Sequence, residues 1–482
     1  MTVRTNPVWF PGRFRDRLAA MISHLSGPAL VPGDPGYDDE TARFNTVATP
    51  ARPAVVVGAR DVTDVRKAIA HARSAGLRVA IQATGHGLST PTDGALLINT
   101  RRMTGLSVDP ATRTARVEAG VRWGQVVDAA AEHGLTPPNG SSPLVGAIGY
   151  TLGGGLPVLG RTLGWAADRV RSLDLVTADG SLRTVSPYEN PDLFWALRGG
   201  RPGVGVVTAM EVELAAVPRF HGGMLRFPAE RASELLAAWL EWSRDLPDTM
   251  NTSIALLRLP HAHLVAIRLA HAALSPLSSS HPAPETLIAP LRALRPVEDT
   301  VRDRPCTEIA AVHDDPTEPA AYHELSLMLH TLDPGLFDHP DPGFATVEIR
   351  RLGGALSAAP DVPNAIDHRT AAYSLSTIAP AATTAFTTTN TFTTTNTFTT
   401  TNTFTAPNVF TAPNVFTAPN VFAATNPKPP LDLADPSSTG LRFRNFLAGP
   451  EAPALAAEAY TPATWSRLTS LKTTHDPHNL FL

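Results

Sequence analysis

The stretch from Gly134 to Gly160 limits what this chain can fold into more than any other. It contains no charged residue, and it carries Gly140, Gly146, Gly149, Gly153, Gly154 and Gly155 together with Pro157. A run of that length and polarity invites comparison with a membrane span. Each interior glycine, however, costs a helix about 0.8–1 kcal/mol and a proline about 3 kcal/mol. A lipid-spanning helix is therefore not expected. An uncharged, glycine-rich segment in a globular chain is instead backbone packed tightly against something buried. The composition is globular: 482 residues, 43% hydrophobic, with a formal net charge of −4. That length allows two or three domains and a sizeable core. No basic block of five or more residues occurs, so no nucleic-acid or anionic-membrane surface is expected. The only cysteine, Cys306, excludes an intrachain disulfide framework and a cysteine-rich metal site, and fits a reducing compartment. With no long apolar run in "MTVRTNPVWFPGRFRDR", the expected location is cytoplasmic.

Upstream of the glycine run, "PAVVVG" reads as a buried strand. "DVTDVRKAIAHARSAG" reads as a helix with Val62, Val65, Ile69 and Ala72 on one face, capped by Asp61 and stopped by Gly76. "LRVAIQ" is a second strand, which completes a βαβ unit. His86, flanked by Gly85 and Gly87, lies just past its carboxyl end, where open α/β sheets place ligands. "ALLIN", "GLSVD" and "ARVEAG" are short strands. "VRWGQVVDAAAEHG" is a helix burying Trp123, Val126, Val127, Ala130 and Ala131. "LDLVTADGSLRTV" is a hairpin turning at Ala178–Gly180, "DLFWALRGG" a short helix and "VGVVTAMEVEL" a strand.

From Arg219 the texture changes. "ERASELLAAWLEWSRDLP" is an amphipathic helix with Leu235, Leu236, Trp239 and Trp242 inward. "TSIALLRL", "HLVAIRLA", "TVEIRRLGGAL" and "TAAYSLSTIAP" are strand-like. Residues 385–426 are seven near-identical hexads, from AFTTTN to VFAATN, each with one Phe. Ordering a residue costs about 1–2 kcal/mol of backbone entropy. One Phe per hexad scarcely offsets that, so a mobile or loosely docked insertion is expected, with no catalytic role. The tail carries a helix with Trp465, Leu468 and Leu471 inward.

Three glycine loops, "ATGHG", "NGSSPLVGAIGYTLGGG" and "ALRGGRPGVGVVT", expose backbone N–H groups that can approach a pyrophosphate closely. Neither GxGxxG, nor a P-loop, nor GxSxG is present, so a Rossmann nicotinamide site, a nucleoside triphosphatase and an elbow hydrolase lack support. In their order and spacing these segments resemble the FAD-linked oxidases of the vanillyl-alcohol-oxidase (PCMH) fold, in particular the berberine bridge enzyme-like family. The resemblance runs from Asn45 to about Val217. It resumes at "VPNAIDHRTAAYSL", "RNFLAG" and "RLTSLKTTHDPHNLF". It implies an α+β, two-domain fold whose substrate domain is an antiparallel sheet covered by helices. The divisions it implies are an N-terminal extension at 1–44, an FAD-binding domain at 45–218, a substrate domain at 219–384, the hexad insertion at 385–426, and a segment at 427–482 returning to the FAD domain.

By that resemblance, His86 would bond covalently to the flavin 8α-methyl group. Thr84, Gly85, Gly87, Leu88 and Ser89 would cradle the pyrophosphate. Gly140, Ser141, Ser142, Val145, Gly146, Gly149, Gly153, Gly154 and Gly155 would line the flavin, and Gly205 and Val207 would meet the adenosine end. Many family members carry a second, cysteinyl link in "CPxVG". Here the motif is "SPLVG", and Ser142 cannot form a thioether, so the implied FAD is tethered once. The family's tyrosine near the C-terminus is Phe443 in "FRNF", which cannot act as a base, while Asn445 remains as a flavin contact. In "DHRTAAY", a strand would place Arg369 and Tyr373 on one face and His368 on the other, and Tyr373 is the candidate base. His261 and His263 share a strand face but lack a third placed ligand, so no metal site is expected.

The implied activity is hydride transfer from a small alcohol, sugar or amine to flavin N5, with oxygen returning the flavin to its oxidised state and yielding hydrogen peroxide. Two alternatives stand. One is a flavin-binding protein with little or no turnover, given the missing tyrosine, the hexads in place of an expected helix, and the chain ending at "NLFL". The other is a dehydrogenase using another acceptor. Oligomeric state is not legible.

Overall fold

The computed structural model describes residues 24–47, 51–87, 91–201, 203–259, 262–274, 283–338, 344–381 and 435–482. Leu88, Ser89, His261 and the hexads at 385–426 lie outside the described residues.

The βαβ unit consists of β1 (Val55–Gly58), α1 (Val62–Ala75) and β2 (Val79–Gln82). Asp61 caps α1 by accepting the Asp64 N–H at 2.9 Å, and Gly76 ends it at φ 67°. β3 (Leu96–Asn99) inserts between β1 and β2, parallel to both. Strands covered on both sides can be apolar throughout, and "VVV" and "LLI" are fully buried. Phe481 bridges Val79 at the outer edge, so the tail comes back to this sheet.

Next come β4 (Leu106–Asp109), β5 (Thr114–Glu118), α2 (Trp123–Ala131), α3 (Ala147–Leu152), β6 (Val170–Thr177), β7 (Leu182–Val185) and β8 (Gly205–Glu213). The strands form an antiparallel sheet in the order β4-β5-β8-β6-β7. Its apolar face shares one core with the βαβ unit, with Trp123 and Val126 of α2 packed among Val117, Leu175 and Met210.

The second half contains β9 (Arg219–Pro228), α4 (Ala232–Ser243), β10 (Met250–Leu259), β11 (Ala262–His271), β12 (Tyr322–Leu329), β13 (Thr346–Arg351) and β14 (Tyr373–Pro380). They lie antiparallel in the order β9-β11-β10-β13-β14-β12. Ile254, Ile267, Leu327, Ile349 and Leu375 face α4, where Leu235, Leu236 and Trp239 cover them. The period of two sends Ser253, Arg268, Glu324, Ser326, Glu348 and Arg350 to the opposite face. α5 (Pro462–His475) buries Leu468 against Trp195, Ala196 and Tyr460. The result is an α+β fold of two halves, the second an antiparallel sheet with helices on one side. Among the described residues, no helix is long and apolar enough to cross a membrane.

"DHRTAAY" corrects one expectation. His368–Thr370 is a 3-10 turn, and β14 begins only at Tyr373. Arg369 leaves the sheet because it reaches a carboxylate, donating to Asp168 at 2.7 Å. Tyr373 alternates onto the helix-covered face, its ring 6.2 Å from that of Trp239. The candidate base therefore lies on the side of the sheet away from the polar face.

Candidate functional site

The first wall of the site is built on backbone. After β2, residues 83–87 turn back along a second segment: Phe44 N–H donates to Thr84 O and Asn45 N–H to Gly85 O, each at 3.1 Å. Gly85 sits at φ 75°, and a Cβ there would come 2.8 Å from Arg43 Cβ, so this position admits only glycine. The His86 ring stacks on Phe44 at 3.9 Å. Its Nδ1 lies 2.8 Å from Thr84 Oγ1, and Tyr322 Oη donates to its carbonyl at 3.2 Å. Nε2 is buried without a partner. Burial, then the Arg122 charge, pull the His86 pKa down to about 4, which keeps the imidazole neutral near pH 7. Gly87 has open space where a Cβ would go.

The second loop packs against the first. A Cβ on Gly146 would lie 3.5 Å from Ala83 and 3.8 Å from Thr84. Ser142 Oγ accepts from Leu144 N–H at 3.3 Å, and Val145 accepts the Trp123 N–H at the start of α2 at 3.0 Å. Several glycines here make room for protein side chains. The Tyr150 ring slots between Gly140 and Gly155, where added Cβ atoms would come within 2.9 and 2.5 Å of it. A Cβ on Gly153 would collide with Asn445 Oδ1, and Gly154 abuts Phe443 at 3.3 Å. Arg201 donates to the Gly149 carbonyl. Ser141 stands beside Gly140 in the same loop.

The C-terminal segment completes this wall. Asn445 Nδ2 donates to Tyr150 O at 2.8 Å, while Asn445 Oδ1 and Tyr150 Oη are buried without partners. Phe443 is buried between Trp165 and Phe446, 5.3 and 5.0 Å away by ring centroid. Gly205 and Val207 stand apart from this group. They begin β8, and the Cβ that Gly205 lacks would press on Val176 and Leu175 of β6.

The other wall is the polar face of the second sheet, which no motif in the sequence announces. Glu348 accepts from Arg268 Nη1 at 2.7 Å, from Ser253 Oγ at 2.8 Å, and from Arg350 Nη2 at 2.9 Å and Nε at 3.0 Å. Against the cost of burial, the two guanidinium groups hold its carboxyl well below the usual range. Arg350 also lies over the Phe446 ring at 5.0 Å. Glu324 is different: burial pushes its carboxyl up to about 8, with Arg350 opposing the rise. On the same face, two residues along β12, is Tyr322, which reaches the His86 loop. Glu324 therefore lies next to the loop wall. The period-two pattern in "YHELSLML", apolar at 325, 327 and 329, is the signal that would have exposed this strand. Among the described residues no group of three His, Cys, Asp or Glu could hold a metal ion.

Two glycine-bearing loops thus pack together opposite the polar face of an antiparallel sheet, in an α+β fold of two halves. The FAD binding domain family matches residues 53–186. The chain is 32% identical over 246 residues to (R)-6-hydroxynicotine oxidase of Paenarthrobacter nicotinovorans, covering 49% of this chain and 50% of that one. It is 32% identical over 255 residues to the xylooligosaccharide oxidase of Thermothelomyces thermophilus, covering 51% of each. The chain thus spans about half the length of the curated relatives it matches. In structure it superposes on 6-hydroxy-D-nicotine oxidase from Arthrobacter nicotinovorans with a TM-score of 0.73 at 24% identity, over 95% of this chain and 96% of that one. For Physcomitrella patens BBE-like 1 the TM-score is 0.73 at 19% identity, over 97% of each chain. The chain thus carries an FAD binding domain at residues 53–186 and has the fold of these two solved flavoproteins' structures.

The fit of its residues to FAD rests on the unpaired atoms. His86 Nε2, Tyr150 Oη and Asn445 Oδ1 come from three separate segments, and all are buried without a partner. Buried polar atoms are normally paired, so three in one region mark a place for another group.

Proposed function

We propose that the protein oxidises a small molecule held between the polar sheet face and the two glycine loops, using FAD tethered once through His86. The observation that carries this is the trio of unpaired atoms at the loop wall, His86 Nε2, Tyr150 Oη and Asn445 Oδ1, beside the polar sheet face. Bound FAD would supply a hydride acceptor at N5 and, by reaction with oxygen, hydrogen peroxide.

The chain's own residues have distinct tasks in this scheme. His86 is uncharged near pH 7 and offers a free ring nitrogen, the form required of an attachment point. The amides of Gly85 and Gly87 support the pyrophosphate. Ser142, where relatives of the family place a cysteine, provides no second link. Glu324 takes the proton that leaves the substrate. Its half-buried carboxyl gains a proton readily, and a base with a pKa near the working pH is the efficient one. Phe443, buried among aromatic rings, has no proton to exchange. The single cysteine, buried and free, agrees with a cytoplasmic setting.

The test begins with acid denaturation of the purified protein. Yellow, fluorescent flavin should stay with the wild-type polypeptide and leave the His86→Ala variant. A peroxide screen with alcohols, sugars and amines follows. Flavin that is retained but never reduced by any of them would favour a binding protein without turnover.

A further inference from the structure

Behind Arg350 the polar sheet face borders a cavity of about 30 Å³, walled on its other side by the Leu156–Arg161 stretch that follows the glycine triplet. That volume holds two water-sized atoms. Its wall is unusual in charge. Arg161, Arg268, Arg350 and Arg351 all line it and no carboxylate does; Glu348, just outside the lining, pairs with both Arg268 and Arg350. Arg161 is 5% exposed, Arg268 6% and Glu348 6%, so water does not make up the difference.

Arg161 spends its donors on carbonyls: Nε on Met250 O at 2.8 Å, Nη2 on Leu246 O at 3.0 Å, and Nη1 on Leu352 O. Its nearest carboxylate, Asp248 at 3.4 Å, is 70% exposed. Arg161 therefore contributes charge to the cavity. Arg350 gives Nε and Nη2 to Glu348. Arg268 gives Nη1 to the same carboxylate, but its Nε is buried without a partner. His313, 8% exposed, also lines the cavity. Its Nδ1 has no partner, and its Nε2 is 3.4 Å from Glu348 Oε1. Burial and the neighbouring arginines keep His313 below its usual range, hence neutral. Like Glu348, the other carboxyl groups acting on Arg350, Glu324 and Asp315, lie outside the cavity lining. Four arginines thus line the cavity, and the one buried carboxylate paired with any of them, Glu348, is shared between Arg268 and Arg350. An uncompensated buried charge costs several kcal/mol unless a counter-ion is present.

We propose that this cavity is an anion site for the carboxylate of a small-molecule substrate, with Arg268 Nε as its donor and Arg161 and Arg350 as its counter-charge. The assignment rests on the proposed oxidoreductase activity, because Arg350 is the wall shared with the Phe446, Tyr150 and Asn445 side of the site. It narrows the substrate from alcohols, sugars and amines at large to those that also bear a carboxylate.

The binding half is tested without turnover, on the protein as purified. Thermal unfolding is followed against formate, acetate, lactate and benzoate, with chloride and acetamide as controls. Carboxylates should raise Tm saturably, and acetamide should not. Arg268→Lys, which keeps the charge and loses the Nε donor, should weaken half-saturation by roughly 10–100-fold, the worth of a hydrogen bond to a charged group. Glu348→Gln should do the opposite and tighten carboxylate binding, which keeps the test alive if the arginine variant fails to fold. No stabilisation by any anion overturns the site. Chloride acting as well as the carboxylates, without competing with turnover, overturns the substrate assignment in favour of a free ion. Peroxide formed from hydroxy- or amino-carboxylates but not from their amides supports it. Carboxylates that bind as described while no compound reduces the flavin would instead count against the activity, leaving the site standing.

Discussion

The two sides of the candidate site are made from different materials. The loop wall is backbone: residues 84–87 and 140–155 owe their shape to glycines that a Cβ would block, at Gly85, Gly140, Gly153 and Gly155. The sheet wall is side chain: Glu324, Glu348, Arg268 and Arg350 project from a flat, regular surface. A backbone wall can keep one ligand while side chains change, because amides do not vary with sequence. A side-chain wall can change its ligand one residue at a time. On the proposed function, the common cofactor belongs to the first wall and the particular substrate to the second.

The largest expected effect separates the two outright. His86→Ala should remove flavin from the denatured polypeptide entirely while leaving the sheet wall intact, as a carboxylate-dependent rise in Tm would show. Flavin that stays attached to the variant places the tether elsewhere. Next in size is Glu324→Gln, which should lower turnover roughly 100-fold or more, the usual worth of a positioned general base. Its pH dependence has a defined sign. The wild-type carboxyl must ionise to accept a proton, so kcat/KM should rise as pH passes about 8 and level off above it. The variant should lose that limb. Stability moves the other way: between the ordinary 4.5 and about 8 the folded protein holds a proton that the unfolded chain releases. Stability from this group is therefore lost as pH rises through that window, and Glu324→Gln should flatten the decline in Tm.

The same contrast explains what was legible in the sequence. Glycine is conspicuous in a sequence, and Gly85, Gly140, Gly153, Gly154 and Gly155 could be singled out by eye. Their reasons could not. Gly140 and Gly155 make way for Tyr150, and Gly153 for Asn445, nearly three hundred residues along the chain. The sheet wall was harder because β12, β13 and β10 are far apart in sequence and meet only through pairing. "TVEIRR" was readable as a strand, but nothing local said that Glu348 would meet Arg268 and Ser253. "YHELSLML" alternates regularly, but it carries no motif that marks its polar face as part of a site. Two glycine variants sharpen the point. Gly155→Ala should cost about 2–4 kcal/mol, because it sets a Cβ against Tyr150 and Ala166 at a left-handed φ of 66°. Gly87→Ala meets nothing within 4 Å. It should leave the unfolding midpoint of flavin-free protein unchanged while lowering flavin occupancy, since only the cofactor would feel the added methyl group. If both variants merely destabilise, the 84–87 loop is a turn and not a cradle.

The smallest expected effect concerns Tyr373, which the sequence offered as a base. Its ring packs near Trp239 under α4, with Arg351 over it at 4.9 Å, on the far side of β14 from Ser374 and Ser376. A proton leaving a substrate on the polar face would have to cross the sheet to reach it. Tyr373→Phe keeps the ring and its packing and deletes only the hydroxyl. Turnover should stay within about twofold of wild type, with the pH limb near 8 still present, because that limb belongs to Glu324 on β12. A fall of a hundredfold with the limb abolished would mean that β14 turns its other face to the flavin, and the division into a backbone wall and a Glu324-bearing sheet wall would fail with it. A modest loss of Tm with the kinetics unchanged is what a packed aromatic on the helix-covered face predicts.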